Sequence, residues 1–186
     1  TQVRATGDGD IHSVGVGSTI AITGQGAFSG SGSYNYIGNN VDAIIRNQSL
    51  TSDHSVGVVA QSDDRLYNFA GGFAISAATK AGIGSAVSIN KITGSTNALV
   101  QGGSIAATDT GNIAVSRPQD ADVFKAEKLD VSTNRQKLSE NRKSENKTGI
   151  VVDSSATHTI ITQLSSGGLA ASSSFGVELA GTVNLN

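Results

Sequence analysis

The sequence predicts an all-β protein, a β-solenoid of stacked repeats, on three observations. The first is an internal repeat. When the chain is laid over itself at an offset of 55, Gly72, Ile75 and Asn90 fall on Gly17, Ile20 and Asn35, and Ala98 and Ser104 on Ala43 and Ser49. Ile44, Ile45 and Leu50 meet Leu99, Val100 and Ile105 in the same alignment. The second is a local period of two. Val87 and Ile89 alternate with Ser88 and Asn90, and Ile20 and Ile22 with Thr19, Ala21 and Thr23. That alternation belongs to strands. The third is composition. The 186 residues hold 23 Gly and one Pro but no Cys, Met or Trp, and the apolar residues are mostly Ala, Val and Ile. Small and β-branched side chains suit pleated strands around a thin interior.

Taken in order, residues 12–66 and 67–121 are two copies of the unit. A third begins near the end, where Gly71, Gly72, Ala74, Val87 and Asn90 match Gly167, Gly168, Ala170, Val183 and Asn186 at an offset of 96. The excess of that offset over the repeat, 96 − 55 = 41, requires an insertion. Within each unit the clusters "ITGQG", "IGNNVD", "ITGSTN" and "ATDTGN" read as turns between four or five short strands, giving about two coils of roughly 27 residues. A lone unit cannot bury its apolar face, so successive units stack. Asn tolerates the left-handed conformation of a turn and bonds along a stack, so Asn35, Asn90 and Asn186 are the expected ladder positions.

The insertion is marked by charge. Residues 117–147 carry 14 of the 28 charged side chains and the only proline, Pro118. The domain reading is therefore solenoid over 1–116, a charged insertion over 117–149, and solenoid again over 150–186. "DADVFKAEKL" and "STNRQKLSENRKSE" carry helix formers and capping residues, so a partly helical excursion is expected. Loops on rigid scaffolds often carry recognition. Phe124, Lys125, Lys128, Arg135, Arg142 and Lys143 are accordingly the candidate partner contacts.

Little else in the chain points to chemistry. His12, His54 and His158 are scattered without metal-ligand spacing and read as isolated surface residues. "GDGD" and the Asp63–Asp64 pair lack the nonapeptide of calcium-binding β-rolls. Asp63 and Asp64, adjacent on a strand, face opposite ways, which argues against a paired-carboxylate glycosidase. No G-x-S-x-G elbow and no G-x-G-x-x-G before a helix is present. No enzyme, cofactor or metal is expected. A net charge of −2 predicts no affinity for nucleic acid, and no apolar run is long enough for direct membrane insertion. The polar start without Met reads as a piece of a longer polypeptide.

"SAVSINKITGSTNALV" (85–100), followed by "GGSIAATDTGNIAV" (102–115), resembles the repeats of the filamentous haemagglutinin and leukotoxin-type large adhesins of Gram-negative bacteria. There a V-x-[IV]-N strand leads through a polar turn to [AV]-x-[IV] and G-x-[IL]. The resemblance covers about 12–116 and 150–186. It implies a right-handed parallel β-helix, export through an outer-membrane transporter partner, and a secreted or cell-surface location. It also implies attachment to a receptor or glycan on a host or neighbouring cell. Two other readings stand beside it. One is a trimeric autotransporter-like adhesin head, suggested by "SVGVGSTIAI" but at odds with the 55-residue period. The other is a polysaccharide-processing β-helix enzyme.

Overall fold

The computed structural model describes residues 1–22, 26–76, 81–118, 124–130, 135–140, 142–170 and 175–185. Those residues are all-β, in ten strands. They are β1 (Gln2–Ala21), β2 (Ala27–Ser52), β3 (Val56–Ser76), β4 (Ala81–Ala107), β5 (Ile113–Pro118), β6 (Phe124–Asp130), β7 (Arg135–Glu140), β8 (Arg142–Lys147), β9 (Ile150–Ala170) and β10 (Phe175–Leu185). One sheet has the order β1-β3-β9, a second β10-β4-β2, and two hairpins form the pairs β5-β8 and β6-β7.

The repeat acts at the expected spacing. The side-chain bonds Asn35–Asn90, Asn40–Ser95 and Asp42–Asn97 each span an offset of 55 between β2 and β4. The unit is nevertheless built differently from the expectation. The first copy spans the end of β1, all of β2 and the start of β3, and the second the rest of β3, all of β4 and β5, so the unit is built on long strands and not on four or five short ones. "IGNNVD" and "ITGSTN" lie inside β2 and β4, while "ATDTGN" does separate β4 from β5. Gly, Asn and Asp are weak strand formers, but Asn40 bonds Ser95, Asp42 bonds Asn97 and Gly94 lies against the Asn39 backbone, so contacts between β2 and β4 override local propensity. One true irregularity is shared. Asn47 and Gly102, the same offset apart, both take positive φ, so β2 and β4 bend at matching points, where Asn and Gly are the residues that tolerate it.

The third copy sits at an offset of 94, not 96. β4 and β10 are parallel with Ile83↔Val177, Val87↔Gly181, Ile89↔Val183 and Asn90↔Asn184. An error of two is one that a period-2 pattern cannot reveal, because a shift of two leaves every side chain on its own face.

The chain divides into two compact units. The first holds Thr1–Thr6, Asn40–Ser62 and Ser95–Thr157; the second holds Gly7–Asn39, Asp63–Gly94 and His158–Asn186.

In the first unit, Val41, Ala43, Ile45, Val58 and Ala60 form a buried core, with Val3, Ala5, Ala98, Val100 and Ile105 packed against it. The opposite face of β3 is covered as well. Val59 packs with Ile113 and Val115 of β5, and Val151 closes that cluster. Gly57 makes the fit possible, since a Cβ there would lie 2.7 Å from the Ile113 Cγ2. β5 pairs antiparallel with β8 from Ile113↔Lys147 to Pro118↔Arg142, and β6 with β7 from Phe124↔Glu140 to Asp130↔Arg135, with a bulge between Ala126 and Leu129. The expected partly helical insertion is therefore corrected to paired strands where it is described. A helix with one apolar residue is marginal alone, whereas an antiparallel ladder satisfies a polar backbone without an apolar face and returns the chain to its starting point.

In the second unit the small residues expected to line a narrow interior do so: Ala70, Ala74, Ala86, Ser76 and Ser88 are fully buried. The branched residues expected to fill it divide. Ile37, Leu66 and Ile92 are inside, whereas Val87 and Ile89 are 54% and 38% exposed beside a fully buried Asn90. Asn35 is buried between exposed Tyr34 and Tyr36, and Val14, Val16 and Ile20 point outward from β1. The reason is the closeness of the two sheets. A Cβ on Gly84 would stand 2.5 Å from the Gly72 O and closer still to the Gly167 O; one on Gly82 would stand 2.5 Å from the Leu169 O. Backbones that nearly touch leave room only for hydrogen, methyl and small polar groups. Branched side chains go outside, and Ile37, Leu66 and Ile92 form a compact apolar cluster within, with Ile11 and Ile160 beside it.

Candidate functional site

Three groups of side chains in the second unit, and the hairpins of the first, are the places where chemistry or recognition could reside.

The first is a polar ladder in the interior. Asn35 donates from Nδ2 to the Asn90 Oδ1 at 2.8 Å. The Asn90 Nδ2 in turn faces the Ser88 Oγ at 2.9 Å, the Thr162 Oγ1 at 2.7 Å and the Asn184 Oδ1 at 3.0 Å. Thr162 and Thr182 also donate to the Asn184 Oδ1, at 3.0 and 3.3 Å. Asn68 joins through the Ser33 Oγ at 2.7 Å and through Ser88. Buried amides cost several kcal/mol unless bonded, and here each rung supplies the next. Asn35 and Asn90 thus form the ladder expected of them, but in mid-strand and not at turns. The third rung is Asn184; Asn186 lies outside the described residues.

The second is a buried carboxylate. Asp64 is fully buried, accepts from the Asn39 Nδ2 at 3.1 Å and lies 3.4 Å from the His158 Nε2. Gly9 leaves it space, since a Cβ there would fall 2.7 Å from the Asp64 Oδ1. His158 is therefore not the isolated surface residue the sequence suggested. The true offset of 94 would have placed it opposite Asp64; the offset of 96 put Ile160 there. Breaking this pair has a cost. In a double-mutant cycle, Asp64→Asn and His158→Asn are expected to show a coupling of about 1 kcal/mol in chemical denaturation, each single change destabilising. Additive effects would mean that the two side chains do not act as a pair.

The third lies on the outer face of the β1-β3-β9 sheet. His12 stacks on Tyr67, with ring centroids 4.7 Å apart and planes 6° from parallel, and its Nε2 lies 3.0 Å from the Asp10 Oδ1. Arg65 and Asp63 approach at 3.8 Å on β3. Asp63 and Asp64 do point to opposite faces, the one beside Arg65 and the other into the interior. Partial burial raises the Tyr67 hydroxyl above its ordinary pKa of 10.0, against a lowering by Arg65 and with a further rise from Asp10. Its neutral form is thus favoured more in the folded than in the unfolded chain. Above about pH 10 the unfolded state ionises first, so stability falls as pH rises. Tyr67→Phe is expected to flatten the decline in urea midpoint between about pH 9 and 11, and an unchanged slope would contradict this.

The hairpins carry the residues expected to meet a partner. Phe124, Lys125 and Lys128 belong to β6, Arg135 to β7, and Arg142 and Lys143 to β8. Lys143 is exposed and opposes Arg117. The side chains of the other five lie outside the described residues. His54, the remaining histidine, bonds the Thr110 Oγ1 at 3.2 Å on the surface. Among the described residues no group of three or more His, Asp or Glu is placed to hold a metal ion.

Compared with protein-family models, with curated proteins and with solved structures, the chain matches none.

Proposed function

We propose that this chain is a structural segment of an exported surface filament, a right-handed β-solenoid that mediates cell adhesion or carries a distal tip. The single observation behind the reading is the ladder of bonds at the repeat spacing between β2 and β4, found at Asn35–Asn90, Asn40–Ser95 and Asp42–Asn97. A chain that spends its repeat on lateral contacts between successive copies gains extent and stiffness without needing a pocket. The resemblance of residues 85–115 to large Gram-negative adhesins supports the rest. In that reading the partners are an outer-membrane transporter during export and a receptor or glycan on a host or neighbouring cell afterwards. The charged hairpins over 117–149 are the element that would present recognition residues.

Antibody raised against the 186-residue chain should label intact producing cells, and the label should disappear after brief external proteolysis. Labelling only after the cells are lysed would refute surface exposure. A chain lacking residues 119–146 should fold and lose attachment to target cells if the hairpin is the contact; undiminished attachment would place recognition elsewhere.

A further inference from the structure

In the second unit the β10-β4-β2 sheet is polar on its inner face and apolar on its outer one. The inner face holds the Asn35–Asn90–Asn184 ladder. On the outer face Phe28, Tyr34 and Tyr36 of β2 are half or more exposed, and Val87 and Ile89 of β4 stand beside them. β10 adds Leu179, Val183 and Leu185, each about half exposed or more. With ordinary side-chain areas these exposures come to about 800 Å² of apolar surface. The largest apolar patch on a lone protein is usually about 300–600 Å², whereas one side of a stable interface covers about 800 Å². The face does not depend on where the edges of the sheet lie. A strand added beside β2 or β10 would widen it and leave it open.

Position by position the face fits itself. Gly30 lies against Ser85 and Gly32 against Val87, a register that brings Tyr34 beside Ile89. β10 continues these rows with Leu179 beside Ser85 and Val183 beside Ile89. If a second copy is turned over about an axis that crosses the strands at Val87, its strands run antiparallel to those of the first. Tyr34 and Ile89 of each copy then come over Gly30 and Ser85 of the other, and Val87 faces its own counterpart. Large side chains fall on small ones, the condition for close packing. Charge selects the same orientation. Among the described residues, Lys91 is the one charged residue in these outward rows of the unit. With strands parallel and β4 over β4, the two Lys91 side chains would meet; antiparallel, each stem lies over Ile83 of the other copy. The outer face of the β1-β3-β9 sheet, with Asp10, His12, Asp63 and Arg65, offers no such uniform surface.

We propose that the outer face of the β10-β4-β2 sheet binds the same face of a second copy of this chain, with the strands antiparallel. The contact is isologous: each copy offers the same patch, and one pairing uses it up, so association stops at a dimer. The occupant is a second copy because the apolar area is that of one side of a stable interface and the face meets itself without opposing like charges. The inference goes beyond the proposed function: adhesion could fail while self-association holds, and the reverse.

The test uses the 186-residue chain and measures mass against concentration by light scattering and analytical ultracentrifugation. Mass is expected to rise from 18.8 kDa to a plateau at twice that value. Val87→Lys and Val87→Glu each set like charges against each other at the centre of the contact, and each should weaken association about tenfold or more. An equal mixture of the two variants should recover the dimer, because the same positions then attract. Val14→Lys, on the outer face of the other sheet, should dimerise like the parent. All three variants should keep the parent's circular dichroism spectrum, since Val87 and Val14 are exposed. The chain has no cysteine, so Val87→Cys and Val14→Cys each supply a single thiol. A short bismaleimide should join two Val87→Cys chains and leave Val14→Cys chains single. A chain that stays at 18.8 kDa at every concentration overturns the proposal. So does mass that grows past the dimer, a mixture of charged variants that stays monomeric, or linkage at Val14→Cys in place of Val87→Cys.

Discussion

Replacing Gly84 by Val should prevent folding, whereas the same change at Gly181 should be nearly silent. Both glycines lie on paired strands of one sheet, β4 and β10. At Gly84 a Cβ would be 2.5 Å from the Gly72 O and nearer to the Gly167 O, both backbone atoms of the facing sheet that cannot swing aside. At Gly181 a Cβ would meet nothing within 4 Å. Relieving the overlap at Gly84 requires the two sheets to part, which would open the Asn ladder and the Ile37–Leu66–Ile92 cluster together. The cost is expected to exceed about 4 kcal/mol, a large share of the stability of an ordinary domain. Gly181→Val should stay within about 0.5 kcal/mol of the parent, since Val is the better strand former and its side chain is free. Circular dichroism with urea titration of both variants decides the matter. Equal effects at the two sites would mean that glycine serves chain flexibility here and not the spacing of the sheets.

Asn90→Leu is the second large effect. Leu shares the branched outline of Asn and is apolar throughout, and at a position of the type Val-Ser-Ile-Asn a solenoid with an apolar interior would welcome it. In this structure Asn90 is fully buried, receives the Asn35 amide and faces Ser88, Thr162 and Asn184. Leucine would strand several of these groups without water. An orphaned buried donor or acceptor costs about 1–3 kcal/mol, so a loss of about 3 kcal/mol or more is expected in chemical denaturation. Asn90→Asp should be less harmful at low pH, where a protonated carboxyl regains a donor. Asn90→Leu leaving the midpoint unchanged or raised would show that the ladder does not contribute to stability.

These two positions mark where the sequence was legible and where it was not. The repeat, the all-β class, the thin interior and the place of the charged excursion follow from residue identity alone. Asn35 and Asn90 were marked by the same comparison. A repeat is visible because it compares the chain with itself, and a strand is visible because its side chains alternate. Neither comparison says which of the two faces is inside. Val87 and Ile89 on one side of β4, Ser88 and Asn90 on the other, are consistent with either choice. The decision belongs to the facing sheet, whose glycines at 72 and 167 bring its backbone so near that only small and mutually bonded polar groups fit between. The two-position error in the last register, which hid Asn184 and the Asp64–His158 pair, has the same origin: alternation is blind to shifts of two. Sequence by itself determined that this chain is made of repeating strands. Only the tertiary structure decided what they enclose, because enclosure is fixed by the distance between sheets, and that distance is set by residues far apart in the chain.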